Sequence, residues 1–156
     1  MNLRAEEITS IIREHIGGYA ADVDKAPCQP QKFPAEEPQS LQKAHTPGVR
    51  TINEVSSFLQ VPPSKIIKTL FYRADGRPIG VLIRGDRRLN EAKLTNALNC
   101  TSLEMADDAE IERATGSPPG FVGPVGLGNI PLYADQEVFY LSNAVAGANQ
   151  EDYHLV

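Results

Sequence analysis

Apolar residues recur at helical steps at Leu3, Ile8, Ile11, Ile12 and Ile16 and stop at Gly17-Gly18, which predicts an amphipathic helix over 3–16. Residues 26–48 break that rhythm. Pro27, Pro30, Pro34, Pro38 and Pro47 stand there among Gln, Lys and Glu, a composition that predicts a linker or an extended arm. The chain is therefore expected to divide into a helix over 1–18, a Pro-rich linker or arm over 19–44, and a compact domain over 45–156. Within the domain, Thr51 followed three places later by Glu54 forms a capping box for a helix through Leu59, and Pro62-Pro63 resets the chain. The β-branched and aromatic runs Ile67 to Tyr72 and Ile79 to Ile83, separated by Asp75-Gly76, predict a hairpin. Alternation puts Ile67, Thr69 and Phe71 on one face of its first strand, with Lys68, Leu70 and Tyr72 on the other. Asn90 caps a helix to about Leu98, Ser102 to Ala106 is a short strand, and Asp107 or Asp108 caps a helix that closes at Gly116. After a loop dense in Gly and Pro come short strands near Leu132 to Ala134, Val138 to Leu141 and Tyr153 to Val156. The pattern is mixed α+β, a largely antiparallel sheet with helices around it, and it contains no internal repeat.

Size and composition narrow the class. The 156 residues are 41% hydrophobic and 22% charged. A chain of this length can bury about 68 to 70% of the surface its unfolded form exposes, enough for one sizeable core, so two independent domains are not expected. Its apolar runs, such as Pro78 to Ile83, fall short of the roughly 18 to 20 residues of a membrane span. The opening residues carry Glu6 and Glu7 and no apolar signal core, so a cytoplasmic protein is expected, with Cys28 and Cys100 as unpaired thiols. The formal charge of -5 weighs against nucleic acid as a partner, but it is unevenly distributed. From 46 to 98 nine cations face four anions, a balance of +5; from 99 onward one cation faces nine anions, a balance of -8. Either the basic segment meets phosphates or both are ordinary solvated faces.

Few residues announce chemistry. The loop Gly116-Ser-Pro-Pro-Gly-Phe-Val-Gly-Pro-Val-Gly-Leu-Gly128 lacks the Gly-Lys-Ser/Thr ending of a nucleotide-triphosphate loop. It is either a rigid backbone pocket or a structural crossover. His15, His45, His154 and the two cysteines have no metal-ligand spacing, so no metal and no cofactor are expected. No Gly-x-Ser-x-Gly elbow and no activated cysteine supplies a covalent nucleophile. Arg84-Gly85-Asp86 matches an adhesion tripeptide by coincidence, with Gly85 expected to open a turn. Lys68 sits inside the apolar segment Ile66 to Leu70, where its ammonium either snorkels to the surface or enters a site.

A set of ordered motifs resembles the editing domain inserted in bacterial prolyl-tRNA synthetases. They are His45-Thr-Pro-Gly-Val-Arg-Thr51, Pro63-Ser-Lys-Ile-Ile-Lys-Thr-Leu70, Val81-Leu-Ile-Arg-Gly-Asp86, Leu89-Asn-Glu91, Ala114 through Gly126, Gly147-Ala-Asn149 and Tyr153-His154. Tyr19 to Lys25 is similar to the stretch leading into that insertion. Leu3 to Ile16 instead resembles the amino-terminal helix of the ATP synthase alpha subunit.

The resemblance implies a domain that hydrolyses alanyl-tRNA for proline, sparing the prolyl ester. It implies the 3′ end of a mischarged tRNA as partner, and a synthetase catalytic core or another protein as a further one. Lys68 falls at the family's essential lysine, near the terminal nucleotide. Gly120 and Gly123 belong to its Gly-x-x-x-Pro loop, which ends at Pro124, and Thr46, Asp135 and His154 fall at positions lining the pocket. An aminoacyl ester is already activated. A positioned water, backbone donors and the substrate's own ribose hydroxyl can therefore replace a protein nucleophile. The synthetase core motifs are absent, so the chain is not expected to charge tRNA. Two other readings stand beside the enzyme: a non-catalytic module that binds a tRNA end or an amino acid, and a fragment active only within a full synthetase.

Overall fold

The computed structural model describes residues 36–156. The helix expected over 3–16, Cys28 and most of the Pro-rich stretch lie outside them. Strand β1 (Lys43–His45) comes first, then helix α1 (Ile52–Leu59), a 3-10 turn (Pro63–Lys65), and the long strands β2 (Ile67–Ala74) and β3 (Arg77–Arg84). They are followed by α2 (Glu91–Leu98), β4 (Leu103–Met105), α3 (Asp108–Thr115), β5 (Leu132–Ala134), a second 3-10 helix (Gln136–Tyr140), β6 (Ala146–Gly147) and β7 (Tyr153–Leu155). Four strands form one sheet in the order β4-β2-β3-β5, antiparallel except that β5 runs parallel to β3. Three form a second, antiparallel sheet in the order β1-β7-β6. The stretch just before His45 thus joins a sheet, through the strand that carries His154.

Local chemistry accounts for most boundaries. Thr51 Oγ1 accepts the Glu54 amide at 3.3 Å while Glu54 Oε2 accepts the Thr51 amide at 2.8 Å, so two orphan donors of α1 are satisfied reciprocally. The Thr51 and Arg50 amides, both donating to Glu54 Oε2, hold the Glu54 carboxyl below its ordinary value. Asp107 and Glu110 form the same box at α3, Asn90 caps α2 by accepting the Lys93 amide alone, and Gly116, at φ 71, closes α3. Between β2 and β3, Asp75 and Gly76 have φ 47 and 77, the two positive values a type I′ hairpin turn requires. Asp75 Oδ1 also accepts the amides of Thr101 and Ser102, each at 2.9 Å, tying the turn to the approach to β4.

The hairpin separates two cores. Ile67 and Leu82 pack against Val138 and Ala146 on one face, and Phe71 continues that face against Val122, Leu127 and Leu132. On the other, Tyr72, Ile79, Val81 and Ile83 pack against Leu94 of α2. The two sheets are stitched at Ile66 and Val145: Ile67 N donates to Val145 O and Val145 N to Lys65 O, both at 2.8 Å. A third cluster, Val55 of α1 with Val49, Ile66 and Val145, covers that seam.

Two short elements differ from expectation. Val138 to Leu141 is no strand; Gln136–Tyr140 coils as a 3-10 helix, because Asp135 caps it by accepting the Glu137 amide at 2.8 Å. Coiling directs Val138 onto Ile67 and Leu82. Strand β6 was not expected, since two residues are too few for a period to register.

Leu82, fully buried between the layers, should lose roughly 2–5 kcal/mol on Leu82→Ala. Thr51→Ala should lose about 1 kcal/mol through the capping box. Urea denaturation of both variants checks the order.

Candidate active site

The Gly/Pro loop after α3 lies directly on β6. A Cβ built on Gly123 would stand 1.8 Å from Gly147 O, and one on Gly147 would stand 2.3 Å from Phe121 O. Only two glycines permit this backbone-on-backbone approach. Asn149, two residues beyond β6, fastens the same loop at three points. Its amide donates to Phe121 O at 2.9 Å, its Oδ1 accepts Gly123 N at 2.8 Å, and its Nδ2 donates to Val125 O at 2.5 Å. Gly123 N–H is thereby engaged, so in this arrangement it contributes loop shape and not a free oxyanion donor. Gly120, at φ 95, lies against Arg50, whose guanidinium sits 5.5 Å from the centre of the buried Phe121 ring.

Thr46 and His154 meet beside this loop. β1 and β7 pair with Ala44 opposite His154, and Thr46 follows directly after β1, held by its amide to Asp152 O at 2.7 Å. Thr46 Oγ1 and His154 Nδ1 lie 2.7 Å apart, with the two residues 0% and 3% exposed. Burial holds the imidazole below its ordinary value, and a hydrogen bond to the Gly120 backbone pulls the other way. The Phe121 ring is 5.8 Å from the imidazole. Thr46, Gly120, Gly123 and His154 therefore belong to one connected structure. Pro124 borders it, lining an apolar cavity of about 320 Å³ together with Ile67, Val138, Ala146 and Leu155.

Lys68 and Asp135 belong to a second, charged group. Lys68 lies on the α2 face of β2, opposite Ile83, and its Nζ donates to Gly85 O at 3.4 Å and to Arg87 O. Burial holds this ammonium below its ordinary value; Asp86 opposes that shift and Arg88 adds to it. The carbonyls come from a tightly held loop. Arg84, 2% exposed, forks onto Asp86 at 2.9 and 2.5 Å, and its Nη1 is 3.3 Å from Glu137. Arg87 forks onto Glu137 at 2.7 and 2.8 Å, and Asp135 stands close enough to reinforce the Arg87 charge. The Arg84-Gly85-Asp86 tripeptide is thus used internally. Gly85 opens the turn after β3, across which Arg87 N donates to Arg84 O at 3.0 Å, and it also serves close packing, since a Cβ there would lie 2.6 Å from Pro63 O.

Sequence reasoning assigned no role to Asn149, Phe121, Arg84 or Glu137. Arg84 carried a signal akin to that of Lys68, a cation adjoining apolar strand residues, here at the end of the run Val81 to Ile83. Asn149 stood inside a recognised motif, but a three-point attachment to residues 24 to 28 positions away leaves no periodic trace. Among the described residues no group of three or more His, Cys, Asp or Glu side chains could hold a metal ion, and no helix is long and apolar enough to cross a membrane.

The family model for the aminoacyl-tRNA editing domain matches residues 46–156, the stretch that contains both groups. The chain belongs to the aminoacyl-tRNA editing domain family. Editing domains of this family are deacylases that hydrolyse mischarged aminoacyl-tRNA. Proline–tRNA ligase of Moorella thermoacetica is 55% identical over 139 residues, 88% of this chain and 24% of that protein. The corresponding ligase of Caldicellulosiruptor bescii is 48% identical over 139 residues, again 88% and 24%. The chain thus spans about a quarter of the length of the curated relatives it matches. Among solved structures, hypothetical protein APE2540 superposes with a TM-score of 0.66 at 32% identity, covering 74% of this chain and 77% of the other.

The buried His154 is expected to make the editing domain acid-sensitive. Its folded pKa lies below the ordinary 6.5, so the unfolded chain takes up the proton first as pH falls. The stability the neutral ring confers is complete above that value and is lost progressively below it. The melting temperature should fall between about pH 7 and pH 5. In His154→Gln the fall over the same range should be smaller.

Proposed function

We propose that this editing domain removes alanine from mischarged proline tRNA and spares the prolyl ester, working in cis within a synthetase or free-standing. The observation that carries the reading is the 55% identity to a proline–tRNA ligase across 88% of the chain. It is supported by the way the glycine backbone, Phe121 and the buried Thr46–His154 pair form one connected structure beside Pro124, which this reading takes as the wall of the amino-acid pocket. A wall fixed by backbone contact can reject the larger proline ring by overlap. Overlap discriminates more strongly than the roughly 1–3 kcal/mol that a missing methylene provides.

Hydrolysis then needs a water aimed at the ester carbonyl, a proton acceptor for it and charge stabilisation at the developing oxyanion. The substrate's free ribose hydroxyl is the acceptor or relay in this scheme. Lys68 serves as the anchor for the 3′-terminal nucleotide. An ammonium has three N–H donors, and the carbonyls of Gly85 and Arg87 use two, which leaves one for a phosphate oxygen. Asp135, Thr46, Pro124 and His154 shape the pocket, with Gly120 and Gly123 setting the loop. The match over only 24% of the relatives' length favours a synthetase catalytic core as the natural neighbour.

Incubation of the chain with alanyl- and prolyl-tRNA tests the proposal: alanine should be released selectively. Lys68→Ala should cost a factor on the order of 10² or more in rate with the melting temperature little changed. Binding of tRNA without turnover would establish the non-catalytic module in its place. Unchanged hydrolysis by Lys68→Ala would remove that lysine from the mechanism.

A further inference from the structure

Asn149 is the residue through which three parts of the site are held in register. Its main-chain N–H and both side-chain amide atoms reach Phe121 O, Gly123 N and Val125 O, so one residue grips alternate positions of the loop as a paired strand would. Only a carboxamide of this length offers an acceptor and a donor together in that span; Asp keeps the acceptor alone, and Ala neither. The backbone at Asn149 is left-handed, φ 52, a conformation Asn tolerates better than most residues. The residue stands between β6, on which the loop lies, and β7, which carries His154. The segment that grips the loop therefore also positions the imidazole that the loop meets at Gly120 and Phe121.

We propose that Asn149 is a positioning residue that fixes the Gly120–Pro124 loop against His154 and so sets the selectivity of the amino-acid pocket. This rests on the reading of that loop as a wall of the pocket. With the grip loosened, the wall moves relative to the imidazole, and the alanyl ester loses its alignment. The steric exclusion of proline weakens at the same time. The two esters are affected in opposite senses, whereas a merely structural role would reduce both rates alike.

The experiment measures hydrolysis of alanyl- and prolyl-tRNA, with thermal melts, for the full chain and for Asn149→Asp, Asn149→Ala and Gly123→Ala. Asn149→Asp guards against loss of folding, because it keeps the bond from Gly123 and tolerates the same backbone conformation. Gly123→Ala displaces the loop directly, its Cβ being built 1.8 Å from Gly147 O. The ratio of alanyl to prolyl kcat/KM should fall on the order of tenfold in both Asn149 variants, in the same direction as in Gly123→Ala. A ratio unchanged in the Asn149 variants while Gly123→Ala alters it overturns the inference and leaves the pocket reading intact. Equal losses for both esters, tracking the loss of folded protein, overturn it too. If Gly123→Ala leaves both rates at wild-type level, the loop is no wall and the inference falls with that reading.

Discussion

The register of β2 against β3 is the constraint on which the rest of this domain depends. Asp75 and Gly76 close the hairpin in the turn type whose twist matches the strands, and Ile67 is thereby set opposite Arg84, and Ala74 opposite Arg77. Both faces of the pair are covered, so a slip of one residue would bring Lys68 onto the layer of Val138 and Ala146 and send Ile67 toward α2. Burying an unpaired ammonium there would cost far more than a surface misplacement. The two ends of the hairpin serve different purposes. The turn end anchors β4 through Asp75, while the open end holds Lys68, Arg84 and the seam between the sheets.

Two devices stand at that open end, and they work by different physics. One is electrostatic: the buried Arg84 and the Arg87–Glu137 fork bind the loop after β3 to the 3-10 helix after β5, and the loop's carbonyls receive the Lys68 ammonium. A buried guanidinium is tolerable only because carboxylates answer it with aligned hydrogen bonds. The other is steric: a glycine on each side lets the loop backbone rest on β6, and Asn149 supplies the bonds that side-chain-free backbone cannot make for itself. The apolar cavity lined by Ile67, Pro124 and Val138 lies alongside both.

Most elements were legible because their causes are local. The capping boxes at Thr51 and Asp107, the Asn90 cap, the Asp-Gly turn and the closing Gly116 are each decided within four or five residues. Val138 to Leu141 was misread because four apolar residues in a row carry no period. The cap at Asp135 and the need to seat Val138 on Leu82 decided for a coil. Of the site residues, Lys68 was conspicuous as a cation in an apolar strand. Thr46 and His154 had no individual signal and entered through the resemblance of ordered motifs.

The sequence by itself therefore determined the class of fold, the hairpin with its alternating faces, and, through its motifs, the editing family. Tertiary structure alone decided the pairing of Thr46 with His154, the seating of Gly123 on Gly147, and the grouping of Lys68 with the Arg87–Glu137 network. Caps, turns and periods are short-range preferences written into adjacent residues. The site is made by residues such as Thr46 and His154, 108 positions apart, and their meeting depends on how two sheets pack.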